Sequence, residues 1–363
     1  MLPAAAIAQD TLSTKSNKQP IQLLDATQQA LNTTKEVVRG FNRIDTNYIE
    51  PQHYEFTVMG QITQNYDFYR LSTAGPEKQS ITLAPDFNTK AGPYFGWRWI
   101  FLGYTFQLGG GAFDFSKHEI DLSIYTSQVG VDIFWRESGD NYKVRSVNLG
   151  PGIDTRALEG IQYSGISSSI TGVQAYYIFN HNHFSYPAAF SQSTIQKRSC
   201  GSWMAGAGYT SNTLSIDLDG LRQLARKLIG PDIRLDTAMQ TDNVKYHDIS
   251  LSGGYGYNWV PRRHWLVAAS LSLALAYKTS SSTSRPREKT LLGTGFDYKD
   301  INIDGVLRLG VVYNNMRWYA GMSLIAHSNN YHQEQFSAYN IFGSLNVYAG
   351  LNFGRKKQYR KQK

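Results

Sequence analysis

From Tyr54 almost to the end of the chain, apolar and polar residues alternate one by one, the period of a strand with two different faces. "DISLSGGYGYNW" places Ile249, Leu251, Tyr255, Tyr257 and Trp259 on one face, against Ser250, Ser252, Gly254, Gly256 and Asn258. "INIDGVLRLGVVY" sets Ile301, Ile303, Leu307, Leu309, Val311 and Tyr313 against Asn302, Asp304, Arg308 and Gly310. The most apolar run, "WLVAASLSLALAY" at 265–277, follows the same rule. On a helix Ser270 and Ser272 would spoil two faces; on a strand they share one with Ala268, Ala274 and Ala276. The other face is then Trp265, Val267, Ala269, Leu271, Leu273, Leu275 and Tyr277.

Strands are predicted near 54–66, 79–97, 99–108, 118–136, 141–148, 163–180, 200–218, 245–259, 264–279, 296–313, 316–333 and 337–354. Many of these segments run about 15–19 residues, well beyond the roughly 5–6 of soluble strands. Aromatics cluster at the ends of the apolar faces. Connections alternate between tight ("VPRR" at 260–263, "NN" at 314–315) and long (219–244, 280–295). Together these features predict an all-β fold, a transmembrane antiparallel β-barrel of about twelve strands. Two places are ambiguous. The apolar parity flips between Ile124 and Val129, and Pro85 interrupts 79–97. Both read as β-bulges, since pieces such as 79–84 are too short for the roughly 9–11 residues of a crossing; if both are turns, the count is fourteen.

Ahead of the strands, "PIQLLDATQQALNTTKEVVRGF" predicts one amphipathic helix near 21–39, with Pro20 at its start and Gly40 at its stop. "MLPAAAIAQD" carries Ala6-Ile7-Ala8, the small-residue pattern of a signal-peptidase site. Residues 1–8 are therefore expected to be the end of a signal peptide, 9–52 a periplasmic segment, 53–354 the barrel and 355–363 a tail.

No run of roughly 18 apolar residues exists, which excludes a helical membrane protein. The single cysteine, Cys200, excludes an internal disulfide scaffold. The net charge of +8 suggests nucleic acid until it is located: six of the cations lie in the last nine residues, leaving +2 elsewhere. That tail predicts a solvated, disordered end, with anionic lipid or polymer as its sharper ligand.

Several separated segments, "DTNYIEP" (45–51), "GPYFGWRWIFLGYTF" (92–106), "LSIYTSQVGVDIFWR" (122–136), "FSYPAAFSQST" (184–194) and "YGYNWV" (255–260), resemble domain-of-unknown-function family 4421 over roughly residues 40–354. The resemblance implies a Bacteroidota outer-membrane β-barrel. It implies no ligand or reaction, and no functional residue carries over.

Candidate chemistry is sparse. His327 and Ser328 in "AHSNNYH" are adjacent, so on a strand they point to opposite faces and cannot serve one substrate without a bulge. No GxSxG elbow is present. His181 and His183 in "NHNHF" could form half a metal site, but no carboxylate or Cys nearby in sequence completes it. "LGGGAF" (108–113) lacks a following GK[ST] and reads as a loop. No catalytic residue, metal or cofactor is assigned.

The polar face is more informative. Glu119, Asp121, Asp132, Arg136, Asp304 and Arg308 should point into the lumen, since each would cost about 2–4 kcal/mol against lipid near the midplane. Their mixed signs favour a paired, largely filled interior, with an open pore as the alternative. "FSYPAAFSQSTIQKRS" (184–199) is too long for a short-turn connection, so it either enters the lumen as a plug or marks a shifted topology. The expected function is a non-enzymatic outer-membrane protein, structural or a conduit for small or lipidic solutes. The alternatives are a lipid-modifying hydrolase and a soluble periplasmic binding protein. Expected partners are outer-membrane lipids, lipopolysaccharide and the barrel-assembly machinery, not nucleic acid.

Overall fold

A computed structural model describes residues 44–73, 78–97, 100–103, 106–108, 119–138, 142–231, 233, 243–280, 301–332 and 336–360. The expected leader and helix near 21–39 and most of the "LGGGAF" loop lie outside the described residues.

The strands follow the alternation closely. They begin with β1 (Ile49–Pro51), β2 (Tyr54–Thr73), β3 (Ser80–Pro85), β4 (Asn88–Trp97), β5 (Ile100–Gly103) and β6 (Phe106–Gln107). Next come β7 (Glu119–Tyr125), β8 (Val129–Ser138), β9 (Tyr142–Asn148), β10 (Ile166–Ile178), β11 (Thr194–Gln196) and β12 (Cys200–Ile216). The last are β13 (Asn243–Arg262), β14 (Trp265–Ser280), β15 (Ile301–Asn314), β16 (Trp318–His332) and β17 (Phe336–Arg355).

One 15-stranded antiparallel sheet has the unbranched path β5-β4-β2-β17-β16-β15-β14-β13-β12-β10-β8-β7, with β3, β6 and β9 beside it. Among the described residues no register joins β7 to β5. Opposite walls meet through side chains instead: the Phe134 (β8) and Phe342 (β17) rings lie 5.9 Å apart, and the Tyr69 (β2) and Ser168 (β10) hydroxyls 2.5 Å. The sheet is thus a barrel wall curled around an interior.

The two ambiguous places resolve differently. At Pro85 the expected bulge is present: Leu83 pairs with Tyr69 and Asn88 with Asn65, so β3 and β4 together carry one residue more than β2 opposite them. Residues 125–128, in contrast, do not bulge. β7 and β8 pair with each other up to Tyr125↔Gly130, and Thr126 N–H donates to the Val129 carbonyl at 2.9 Å. The parity flip was the mark of a chain reversal, and 118–136 is a hairpin. Nor does 141–148 take a place in the path of wall strands; among the described strands β9 pairs with β3, and it bridges the following segment at Lys143↔Gln162.

Burial inverts what a water-soluble sheet shows. On β14, Leu271, Leu273 and Leu275 are 51%, 54% and 62% exposed, whereas Ser270 and Lys278 are 5% and 2%. Polar residues lie inside and large apolar ones outside. The outward positions at Ile249–Trp259, Trp265–Tyr277, Ile301–Tyr313, Trp318–Asn330 and Tyr339–Phe353 carry no charged residue. Trp97, Trp203, Trp259, Trp265, Trp318 and Phe353, all exposed, gather at the short-turn end.

An apolar cluster lies at the long-loop end. Leu71, Leu83, Tyr142, Leu158, Leu214 and Ile216 pack with Leu221 and Ala225 of helix α2 (Leu218–Leu228), which follows the five-residue helix α1 (Tyr186–Phe190) described below. The segment read as a long loop from 219 thus contains a helix. Asp217 caps it by accepting from Gly220 N–H at 2.9 Å. The described part of the basic tail is not a free end. Lys356 Nζ donates to the Gln52 carbonyl at 2.7 Å and Tyr359 stacks on His53, so residues 356–360 fold back against the start of β2.

Candidate functional site

The chemistry of this barrel lies inside it, where β15 presents Asp304 and Arg308 two alternations apart. Arg308 Nη2 donates to Asp132 Oδ2 of β8 at 2.6 Å, both side chains being less than a tenth exposed. Four strands separate β15 from β8 along the sheet, so this ion pair crosses the lumen. Ser123 Oγ donates to the other Asp132 oxygen at 2.6 Å. Arg308 also donates from Nη1 to the Tyr186 hydroxyl at 3.2 Å and lies over the Tyr176 ring at 5.6 Å.

Asp304 has a different partner. Its Oδ1 accepts from Lys278 Nζ at 3.0 Å and from Asn330 N–H at 2.9 Å. Lys278 was missed in the sequence, although it shares the inward parity of Ser270 and Ala276. Arg136 donates to the Gly343 carbonyl at 3.5 Å and stands 5.3 Å over the Phe342 ring. Glu119 and Asp121 lie on β7 at the register positions opposite Arg136 and Phe134; their side chains are outside the described ones.

Tyr186 belongs to the plug. Residues 184–196 enter the barrel from the short-turn end, and Tyr186, Pro187, Ala188 and Ala189 of α1 are all buried. Inward side chains of the wall hold this segment in place. Asn258 Nδ2 donates to the Ser185 carbonyl at 2.8 Å, the Tyr186 and Ser270 hydroxyls are 2.7 Å apart, and Gln192 Nε2 donates to the Tyr348 hydroxyl at 2.7 Å. Two inward glycines make the room. A Cβ on Gly256 would sit 3.0 Å from the Phe184 ring, and one on Gly310 would sit 3.5 Å from Phe190. β11 pairs with β1, tying the plug to the residues that precede the barrel.

Between the plug and the apolar cluster, the space bounded by Tyr176, Thr210, Asp248, Asp304 and Arg308 is a cavity of about 30 Å³. That is space on the scale of one or a few water molecules.

The remaining candidates are scattered. His327 stacks on Phe342, with ring centroids 4.9 Å apart inside the barrel, while Ser328 has the opposite parity on the unbulged β16. His181 meets Gln128 at 3.0 Å, and His183 meets Asn180 and Asp45 at 3.0 and 3.4 Å.

Fold and interior define an all-β, antiparallel barrel protein that holds a plug segment and buried ion pairs inside its own wall. Residues 43–353 match the family model described as domain of unknown function (DUF4421), and the chain belongs to that family. No curated protein matches the sequence. Solved structures with similarity include outer-membrane proteins. The Escherichia coli outer-membrane protease OmpT shares 6% identity at TM-score 0.36, over 82% of this chain and 97% of its own. OprG of Pseudomonas aeruginosa shares 10% at TM-score 0.24, over 84% and 98%. The P. putida toluene transporter TodX shares 10% at TM-score 0.22, over 82% and 91%. At these values nothing about activity transfers.

Proposed function

We propose that this chain is a non-enzymatic outer-membrane β-barrel with a structural role in the envelope, its lumen sealed rather than conducting. The location is supported by the charge-free apolar belt with an aromatic girdle. In water such a belt would far exceed the few hundred Å² of apolar patch that soluble proteins tolerate. In a bilayer it matches the hydrocarbon core. Outer-membrane lipids, lipopolysaccharide and the barrel-assembly machinery are the partners this location brings.

The observation that carries the sealed reading is Arg308. From the β15 wall one guanidinium holds both the β8 wall and the plug, and an open pore would have to break both contacts. Planar-bilayer recording tests it. The wild-type protein is expected to give no conductance steps, and Arg308→Ala with Tyr186→Ala is expected to give intermittent ones. Steady unitary conductance from the wild type would establish a conduit instead.

A further inference from the structure

The short-turn end of the barrel gathers cations from four separate stretches of sequence. Lys197 and Arg198 follow the plug, Arg262 and Arg263 form the turn between β13 and β14, and Arg317 lies in the turn before β16. Arg355, Lys357 and Arg360 join them because residues 356–360 fold back onto His53 and Gln52. All eight side chains are exposed. Acidic residues among the described ones at this end are Asp45, Glu50 and Glu55, and two of these already face histidines: Asp45 meets His183 at 3.4 Å and Glu50 meets His53 at 3.5 Å. The contacts the cations do make are neutral: Lys197 Nζ donates to the Thr46 carbonyl at 3.0 Å, and Arg198 lies over the Tyr48 ring at 5.5 Å. The register puts the rim one to a few residues beyond the aromatic girdle, as Arg262↔Trp265 and Arg355↔Tyr54 show.

That spacing fixes what the rim meets if the girdle sits at a membrane interface. Indole rings settle at headgroup depth, so cations just beyond them lie at the level of lipid phosphates. A ring of uncompensated positive charge there is costly beside a zwitterionic surface and favourable beside an anionic one. We infer that the short-turn rim is a binding surface for anionic phospholipid, whose phosphodiester headgroups are bound by Arg262, Arg263 and Arg317 together with the folded-back tail. The inference rests on the membrane-spanning reading and is independent of whether the lumen conducts. Guanidinium groups suit this task, since each offers paired N–H donors to two phosphate oxygens.

The test uses the full-length protein in phosphatidylcholine vesicles, with insertion first verified by heat-dependent gel mobility. Brominated phosphatidylglycerol and brominated phosphatidylcholine are then compared as quenchers of tryptophan fluorescence. Five of the seven tryptophans, Trp97, Trp203, Trp259, Trp265 and Trp318, stand at this end, so quenching reports mainly the lipid beside the rim. Phosphatidylglycerol is expected to be favoured severalfold, up to roughly fivefold per engaged arginine, with the preference falling as salt rises. Arg262→Gln, Arg263→Gln and Arg317→Gln combined should abolish it; Arg70→Gln with Lys245→Gln, exposed at the other end, should leave it intact. Equal quenching by both lipids, or a preference that survives the rim variant, in correctly inserted protein overturns this inference while leaving the barrel reading standing. Retention on peptidoglycan sacculi without lipid preference overturns it too, in favour of an anionic polymer.

Discussion

Replacing Arg308 by Met keeps much of the side chain's bulk and removes its charge, leaving Asp132 buried with Ser123 as its remaining donor. At 2.6 Å and an effective dielectric of about 20, the direct attraction is roughly 6 kcal/mol. Much of that is offset by the desolvation of both groups, so the pair adds far less net stability than its Coulomb energy. Removing one partner leaves the desolvation cost without the attraction, which typically costs 3–5 kcal/mol. Arg308→Met and Asp132→Leu are each expected to lose about that much, and the double variant at most about 2 kcal/mol, because two apolar side chains need no compensation. The resulting coupling is several kcal/mol. Urea unfolding in lipid vesicles, followed by tryptophan fluorescence and by the gel mobility of folded and unfolded forms, measures all four corners of the cycle. Additivity within about 0.5 kcal/mol would mean that the two groups do not interact, and the lumen-crossing contact would be refuted.

Leu273→Arg, mid-strand on the lipid-facing side of β14, is expected to destabilise the folded barrel by about 2–4 kcal/mol in the same unfolding assay; a change below ~0.5 kcal/mol would place that face away from hydrocarbon. Gly256→Val, which thrusts methyl groups into the Phe184 ring, should displace the plug and make the 184–196 segment sensitive to protease added from the short-turn side, while the wild type resists. Protection equal to wild type would show that the plug does not pack there. At the other end, a hydrogen bond from Lys143 and a further one from Arg145 hold the Asp86 carboxyl below its ordinary 3.8. The tie between the β3–β4 bulge and β9 is therefore fully present above pH 3.8 and is lost only as pH falls through the lower folded value. Hydrogen exchange of the β9 amides should be flat from neutral pH down to about that value, after correction for intrinsic rates, and rise below it; a rise already near pH 6 would contradict the assignment.

Much of this architecture was legible from one-dimensional information. The period of two gives each residue's face without reference to any partner, so the outward belt and the inward positions of Asp132, Asp304 and Arg308 could be read directly. Helix α2 is legible as well: Asp217 is a capping residue, and Leu221, Leu224, Ala225 and Leu228 recur at helical spacing. The hairpin at 126–128 was read as a bulge because a parity flip looks the same in both cases. Only the pairing of Glu119 with Arg136 and of Tyr125 with Gly130 distinguishes a reversal from an insertion.

The sequence alone determined which side chains meet the outside and which the inside, because a strand's pleat is a local property of its backbone. Which inward residues meet one another was a matter for the tertiary structure. Asp132 and Arg308 are 176 positions apart, and nothing in their spacing pairs them. The curvature of the sheet brings β8 across from β15, and Tyr186 comes within reach only once the plug has entered. The rim has the same origin: a scattering of arginines becomes one charged surface because the turns that carry them and the returning tail lie at the same edge of the barrel.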